Sequence, residues 1–107
     1  QEHGNHTATR FAMLANGTGG LIATAENTFE FTAGHYTARQ LFAARHPSDL
    51  VAHQETFWHL DWHQSGVGTH TCGPETLPQY RIYPGTYQFN FRLRPFKGAR
   101  VPEELLR

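Results

Sequence analysis

The stretch TYQFNFRLR, residues 86–94, alternates apolar and polar side chains along most of its length. Period two is the repeat of an extended chain with one covered face; a helix has a different repeat. Tyr87, Phe89, Phe91 and Leu93 are expected to face a core, with Gln88, Asn90, Arg92 and Arg94 facing out. The pattern recurs in ETFWHLDWH, residues 55–63. Thr56, Trp58, Leu60 and Trp62 share its inward face, and Phe57, His59, Asp61 and His63 share the other. Shorter runs stand at 6–15, where Thr7, Thr9, Phe11 and Met13 fall on one face, and at 21–25, 28–32 and 79–83. Turn signals separate them. One runs from Asn16-Gly17 through Gly19-Gly20, and Pro84-Gly85 suits a type II turn. Short strands between turns predict an all-β, antiparallel sandwich or barrel.

One helix interrupts the strands. Thr37 and Gln40 form the pair Thr-x-x-Gln of a capping box, with Tyr36 and Leu41 placed for a hydrophobic staple. The helix is expected over 38–45. It stops before His46-Pro47, because proline disfavours helical geometry in the residue preceding it. It reads as a short helix crossing between strands.

Composition narrows the partners. The 107 residues are one domain's worth of chain, or part of a larger domain, and the hydrophobic share of 38% is low for a self-sufficient core. Nine basic and nine acidic residues leave no formal net charge, which excludes the excess of Lys and Arg that nucleic-acid binding needs. No apolar run approaches the roughly 20 residues of a spanning helix, and no leader pattern opens the chain. Neither nucleic acid nor membrane is an expected partner. A single cysteine makes no internal disulfide, so an intracellular, cytoplasmic setting is expected. The chain begins with Gln1, not Met, and reads as a fragment or a processed chain.

Chemistry concentrates in GVGTHTCGP, residues 66–74. Gly66 and Gly68 permit a close backbone approach, and Gly73-Pro74 is a turn signal. A loop shaped by its backbone is expected to have something against it. Cys72 and His70 are the residue types of a nucleophile and its base. At i and i+2, however, they point the same way without touching, and no third group orients the base. The thiol is therefore not expected to be catalytic. His59, Asp61 and His63 are types that ligate zinc, yet alternation on a wet strand face accounts for them, and no metal is assigned. None of the nine carboxylates falls in an acid/base pattern, and Glu103-Glu104 reads as a solvated tail.

Several segments, taken together and in order, resemble the last domain of the large beta-galactosidases of glycoside hydrolase family two. Gln1-Glu2-His3-Gly4-Asn5 resembles that domain's P-Q-E-N-G-N opening, with His3 at the usual Asn. FTAGHYTARQL resembles F-S-x-x-H-Y-T-x-x-x-L, and LDWHQSGVGTHTCGP resembles L-D-x-x-x-x-G-[VL]-G followed by Cys-Gly-Pro or Trp-Ser-Pro. LPQYRIYPGTYQFNFRLRP resembles the closing hairpin. The likeness spans residues 1–96, which would be part of a C-terminal beta-sandwich domain of the galactose-mutarotase-like type, with 97–107 as a tail.

The resemblance implies a retaining beta-galactosidase acting on terminal beta-D-galactosides such as lactose. Its two catalytic glutamates would lie on an upstream barrel, so the segment alone is expected to be inactive. It further implies that Cys72 occupies the place of a tryptophan that stacks on the aglycone sugar. Cys72 and His70 then form a subsite wall, with Gly66, Gly68, Gly73 and Pro74 shaping the loop. Mg²⁺ and a monovalent cation, Na⁺ or K⁺, would be bound by other domains, none by this segment. The implied partners are the galactoside, the remaining domains of the enzyme and further copies of it in a homo-oligomer. The alternative is a freestanding carbohydrate-binding or interaction module with the same sandwich fold.

Overall fold

The structure, a computed structural model, describes residues 4–65 and 73–106. It is all-β and antiparallel, as the alternation predicts. Its strands are β1 (His6–Ala15), β2 (Gly19–Gly34), β3 (Phe57–Asp61) and β4 (Phe91–Lys97), with one helix, α1 (Ala38–Ala43). The described strands form a single four-stranded sheet, one layer of the expected sandwich. No helix among the described residues is long and apolar enough to cross a membrane.

The β1–β2 hairpin forms where the turn residues demand it. Gly17 takes φ +89°, Asn16 N–H donates to the Gly19 carbonyl, and Asn16 Oδ1 accepts from both Thr18 N–H and its hydroxyl. Gly20 passes so close to β1 that a Cβ there would stand 2.0 Å from the Leu14 carbonyl oxygen.

β2 is the centre of the sheet. The sequence predicts two strands, at 21–25 and 28–32, but they are one strand of 16 residues. The stretch between them carries no turn-forming glycine or proline, so the chain stays extended. The irregularity appears in the pairing. β1 pairs Thr9 with Phe29 but Phe11 with Thr24, a bulge that leaves 25–28 out of register. Bulges also break β1's alternation: Ala12 is its buried residue, while Phe11 and Met13 stay exposed. Because β1 occupies one edge of β2, β4 and β3 must share the other. β4 covers 19–25 and β3 covers 30–34. Residues 26–28 thus pair with neither. β4 carries Pro95, which lacks an N–H, a residue confined to edge strands.

Both faces of β2 are covered near its first half. Ala23 joins Ala12 and Phe29 in a core against which Trp58, Leu60 and Phe89 pack. On the opposite face Ile22 and Phe96 are buried. Arg94, in register with Ile22, donates to the Glu104 carbonyl, so the C-terminal 3-10 turn Glu103–Leu106 lies over that face. The tail is a cover for the sheet.

Other expectations need correction. α1 ends at Ala43, two residues early, although the capping box forms as predicted. β3 is shorter than 55–63, leaving Thr56 and Trp62 exposed while Trp58 and Leu60 reach the core. Residues 79–83 are not a strand. Pro78 opens a 3-10 turn, Pro78–Tyr80, since its fixed φ favours a tight turn and its nitrogen has no proton for a ladder. Pro84-Gly85 is not a type II turn, because Gly85 lacks the positive φ that turn requires; the Tyr87 hydroxyl donates to the Tyr83 carbonyl. The last strand starts at Phe91, not 86. Tyr87, Phe91 and Leu93 stay about half exposed, because no second layer covers them among the described residues.

Candidate functional site

The break in the sheet organises the site. Where β2 has no partner at 26–28, the chain leaving β3 turns in towards it. Glu30 stands just past that gap, between Phe29 and Phe31, only 6% exposed. Burying a carboxylate is costly unless its oxygens find donors, and Glu30 finds two, with a histidine ring beside its other oxygen. Its Oε2 accepts from Asn5 Nδ2 at 3.0 Å and from Gln64 N–H at 3.1 Å. Its Oε1 lies 3.3 Å from His63 Nδ1. Asp61 is the cross-strand partner of Glu30, and Gln64 links the two by donating Nε2–H to Asp61 Oδ2 at 2.7 Å. One carboxylate therefore ties together the segment before β1, the centre of β2 and the exit of β3.

A cavity of about 560 Å³ opens over this carboxylate. Asn5, Glu30, Trp62 and His63 line one side, and Leu77 and Tyr80 line another. Arg81 holds the latter segment compact by donating Nε–H to the Thr76 carbonyl at 2.6 Å and pairing with Glu75 at 3.0 Å. Trp62 packs against Tyr87 with ring centroids 4.7 Å apart. Asn5 Oδ1 is buried with no hydrogen-bond partner among the described residues. A second hollow, about 960 Å³, lies beside α1, where Tyr36 and Leu41 of the predicted staple both line it.

Cys72, His70, Gly66 and Gly68 lie outside the described residues. Gly73 and Pro74 are exposed, and a Cβ on Gly73 would meet open space. The chain enters the glycine-rich stretch just after Gln64 and leaves it just before Glu75, and both residues line the cavity. The trio His59, Asp61 and His63 separates: His63 lies beyond β3 and turns to Glu30. Among the described residues no three His, Cys, Asp or Glu side chains come together to hold a metal ion. Glu30 is the residue that sequence reasoning missed. Its signal was a carboxylate between two phenylalanines on an apolar strand, which must either face water or find partners.

The model of the family described as "Beta galactosidase small chain" matches residues 1–93. A beta-galactosidase from Staphylococcus xylosus is 36% identical over 94 residues, covering 88% of this chain and 10% of that protein. One from Kluyveromyces lactis is 35% identical over 96 residues, covering 87% and 9%. One from Actinobacillus pleuropneumoniae is 28% identical over 93 residues, again covering 87% and 9%. The chain spans about a tenth of the length of these relatives.

Proposed function

The chain belongs to the beta-galactosidase small-chain family, and on that premise we propose that it is a sandwich segment of an intact enzyme that hydrolyses terminal beta-D-galactosides, such as lactose, with retention. The observation that carries the reading is the match of residues 1–93 to the family model, joined by relatives roughly ten times longer that are named beta-galactosidases.

Retaining hydrolysis needs a nucleophile and an acid/base carboxylate about 5 Å apart. Glu30 and Asp61 are opposed across two strands, but Glu30 Oε2 is held by two protein donors, its Oε1 faces His63, and Asp61 is tied to Gln64. They act as scaffold in this reading, and the catalytic pair belongs to another part of the intact enzyme. Mg²⁺ and Na⁺ or K⁺ are likewise assigned to other parts, where a bound cation stabilises developing charge. A cytoplasmic homo-oligomer is the expected setting.

The segment's own part is to shape the aglycone side of the active site through Cys72 and His70. The test is a pair of substitutions in the intact enzyme. Cys72→Ala is expected to leave turnover of an aryl galactoside largely intact, whereas loss of a nucleophilic thiol would cost orders of magnitude. Cys72→Trp is expected to strengthen glucose binding by about 1 kcal/mol, a few-fold in affinity, if the loop seats the ring. Abolished turnover in a folded Cys72→Ala enzyme would overturn the wall assignment.

A further inference from the structure

We infer that the outer face of the β2–β4 pair, around Ile22 and Phe96, is a recognition site for a short segment that is apolar on one side and acidic on the other, and that residues 101–106 are its resident ligand, holding it closed. The site takes no part in the galactosidase reading and is independent of it.

Register fixes what this face carries. Residues paired across neighbouring strands project to the same side of a sheet. Met13, Ile22 and Arg94 therefore form one row, and Phe11, Thr24 and Arg92 form the next. Phe96 stands opposite Gly20, which has no side chain to cover it. Ala12, Ala23 and Leu93 alternate to the other side, where the core lies. On the outer face Ile22 is 0% and Phe96 7% exposed, yet Phe11 and Met13 are 46% and 44% exposed. The centre of the face is shut and its β1 margin is open. The 3-10 turn Glu103–Leu106 packs on β2 and supplies the cover.

The tail matches the face in both polarity and charge. Val101, Pro102, Leu105 and Leu106 are half-buried, whereas Glu103 and Glu104 are exposed. Leu105 N–H donates to the Pro102 carbonyl at 3.0 Å and closes the turn that sorts the two kinds of side chain. Arg92 and Arg94 stand on the receiving face, and Arg94 Nη1 donates to the Glu104 carbonyl at 3.4 Å. Two carboxylates are thus carried on a segment laid over a face with two guanidinium groups. Apolar burial supplies the attraction, and charge supplies the orientation.

The tail is a tethered ligand and not a member of the sheet. Its tether starts at Gly98, where φ is +99° and the N–H donates to the Thr18 carbonyl at 2.7 Å. Beyond Gly98 the tail joins no strand ladder among the described residues. The match to the family model ends at residue 93, before Phe96 and the tail. A short flexible tether presents its ligand at an effective concentration on the order of 1 mM. A segment docked about nine-tenths of the time on such a tether has an intrinsic Kd of about 0.1 mM.

The experiment separates ligand from site. Residues 99–107 are deleted from the intact protein, and a fluorescein-labelled synthetic peptide of residues 99–106 is added while its anisotropy is followed. The deletion protein is expected to bind the peptide with a Kd of about 0.1 mM. The protein that keeps its tail is expected to bind about tenfold more weakly, because the peptide must displace the tethered copy. Arg94→Ala in the deletion protein is expected to weaken binding about threefold, the size of one hydrogen bond. A folded deletion protein that ignores the peptide overturns the inference. Equal affinity with and without the tail also overturns it, since the peptide then binds elsewhere. Should the deletion not fold, Leu105→Ser combined with Leu106→Ser in the full-length chain opens the same face, and failure of that variant to bind the unaltered peptide is equally fatal. Hydrogen exchange in the unaltered protein decides without any variant. The Leu105 amide, bonded within the tail, is expected to be protected only about tenfold, far less than the amides of β2; protection equal to that of β2 would make the tail an integral part of the sheet and overturn its role as a separable ligand.

Discussion

Asn5 Nδ2 donates to Glu30 Oε2 over 3.0 Å, joining residues 25 positions apart. Through the same oxygen Gln64, 34 positions further on, is bound by its backbone N–H. Three segments with no local reason to meet converge on one buried carboxylate. Glu30→Ala strands both donors, each worth about 1–3 kcal/mol when buried and unpaired. Urea unfolding of the intact protein is expected to show a lower midpoint for Glu30→Ala, with Glu30→Gln intermediate because one carbonyl remains. Equal midpoints for all three would mean that water replaces the carboxylate without cost.

Gly20 marks the closest backbone approach in the hairpin. An added Cβ would stand 2.0 Å from Leu14 O and 2.9 Å from Ala15 Cα, both backbone atoms that cannot rotate away. Gly20→Ala is expected to cost about 3 kcal/mol or more by prising β1 from β2. Gly73→Ala, with open space around it, is the control and should be near neutral. Thermal melts of the two variants check the contrast.

Ala8 is the one non-glycine residue with positive φ among the described residues, at +51°. It sits at the first bulge of β1. A left-handed alanine costs about 1–2 kcal/mol, part of which glycine gives back as unfolded-state entropy. Ala8→Gly is therefore expected to stabilise the protein by about 0.5 kcal/mol, and a clear loss of stability would show that the alanine methyl makes a contact of greater value.

The capping box of α1 is complete. Thr37 Oγ1 accepts from Gln40 N–H at 3.1 Å, and Gln40 Oε1 accepts from Thr37 N–H at 2.9 Å. Thr37→Ala removes the first of these and is expected to cost about 1 kcal/mol. Because α1 buries no side chain, the loss should appear locally, as faster hydrogen exchange at the Gln40 and Leu41 amides.

Leu21, Phe91 and Leu93 share one face of the β2–β4 pair and are about half exposed. With these side chains half exposed beside the core around Ala23, the chain expressed by itself is expected to self-associate and to lack activity on a chromogenic galactoside. Sedimentation showing a well-behaved monomer would count against the first expectation, and turnover free of host enzyme against the second.

Some local chemistry was legible where one stretch of chain contains both partners, although the expected Pro84-Gly85 turn and the expected strand at 79–83 do not form. The Asn16-Gly17 turn, the Thr37–Gln40 box and the alternation of Trp58 and Leu60 are complete within a few residues, and each forms as the sequence predicts. What the sequence could not decide was pairing. The lack of glycine or proline at 26–27 lets the chain run on through 21–32, but which edges β1, β3 and β4 take along it depends on distant strands. Phe11 and Ala12 both sit on a strand, yet only the bulge determines which one is buried. The role of Glu30 was equally hidden, since its partners come from residues 5, 63 and 64. By itself the sequence determined the antiparallel β class, the helix cap and the family, since these depend on short-range sterics and on motif order, while strand ends and the run at 79–83 were left to the tertiary structure. Only the tertiary structure decided register, the cover over Ile22 and the cavity beside Glu30, because each depends on side chains and edges brought together from distant parts of the chain.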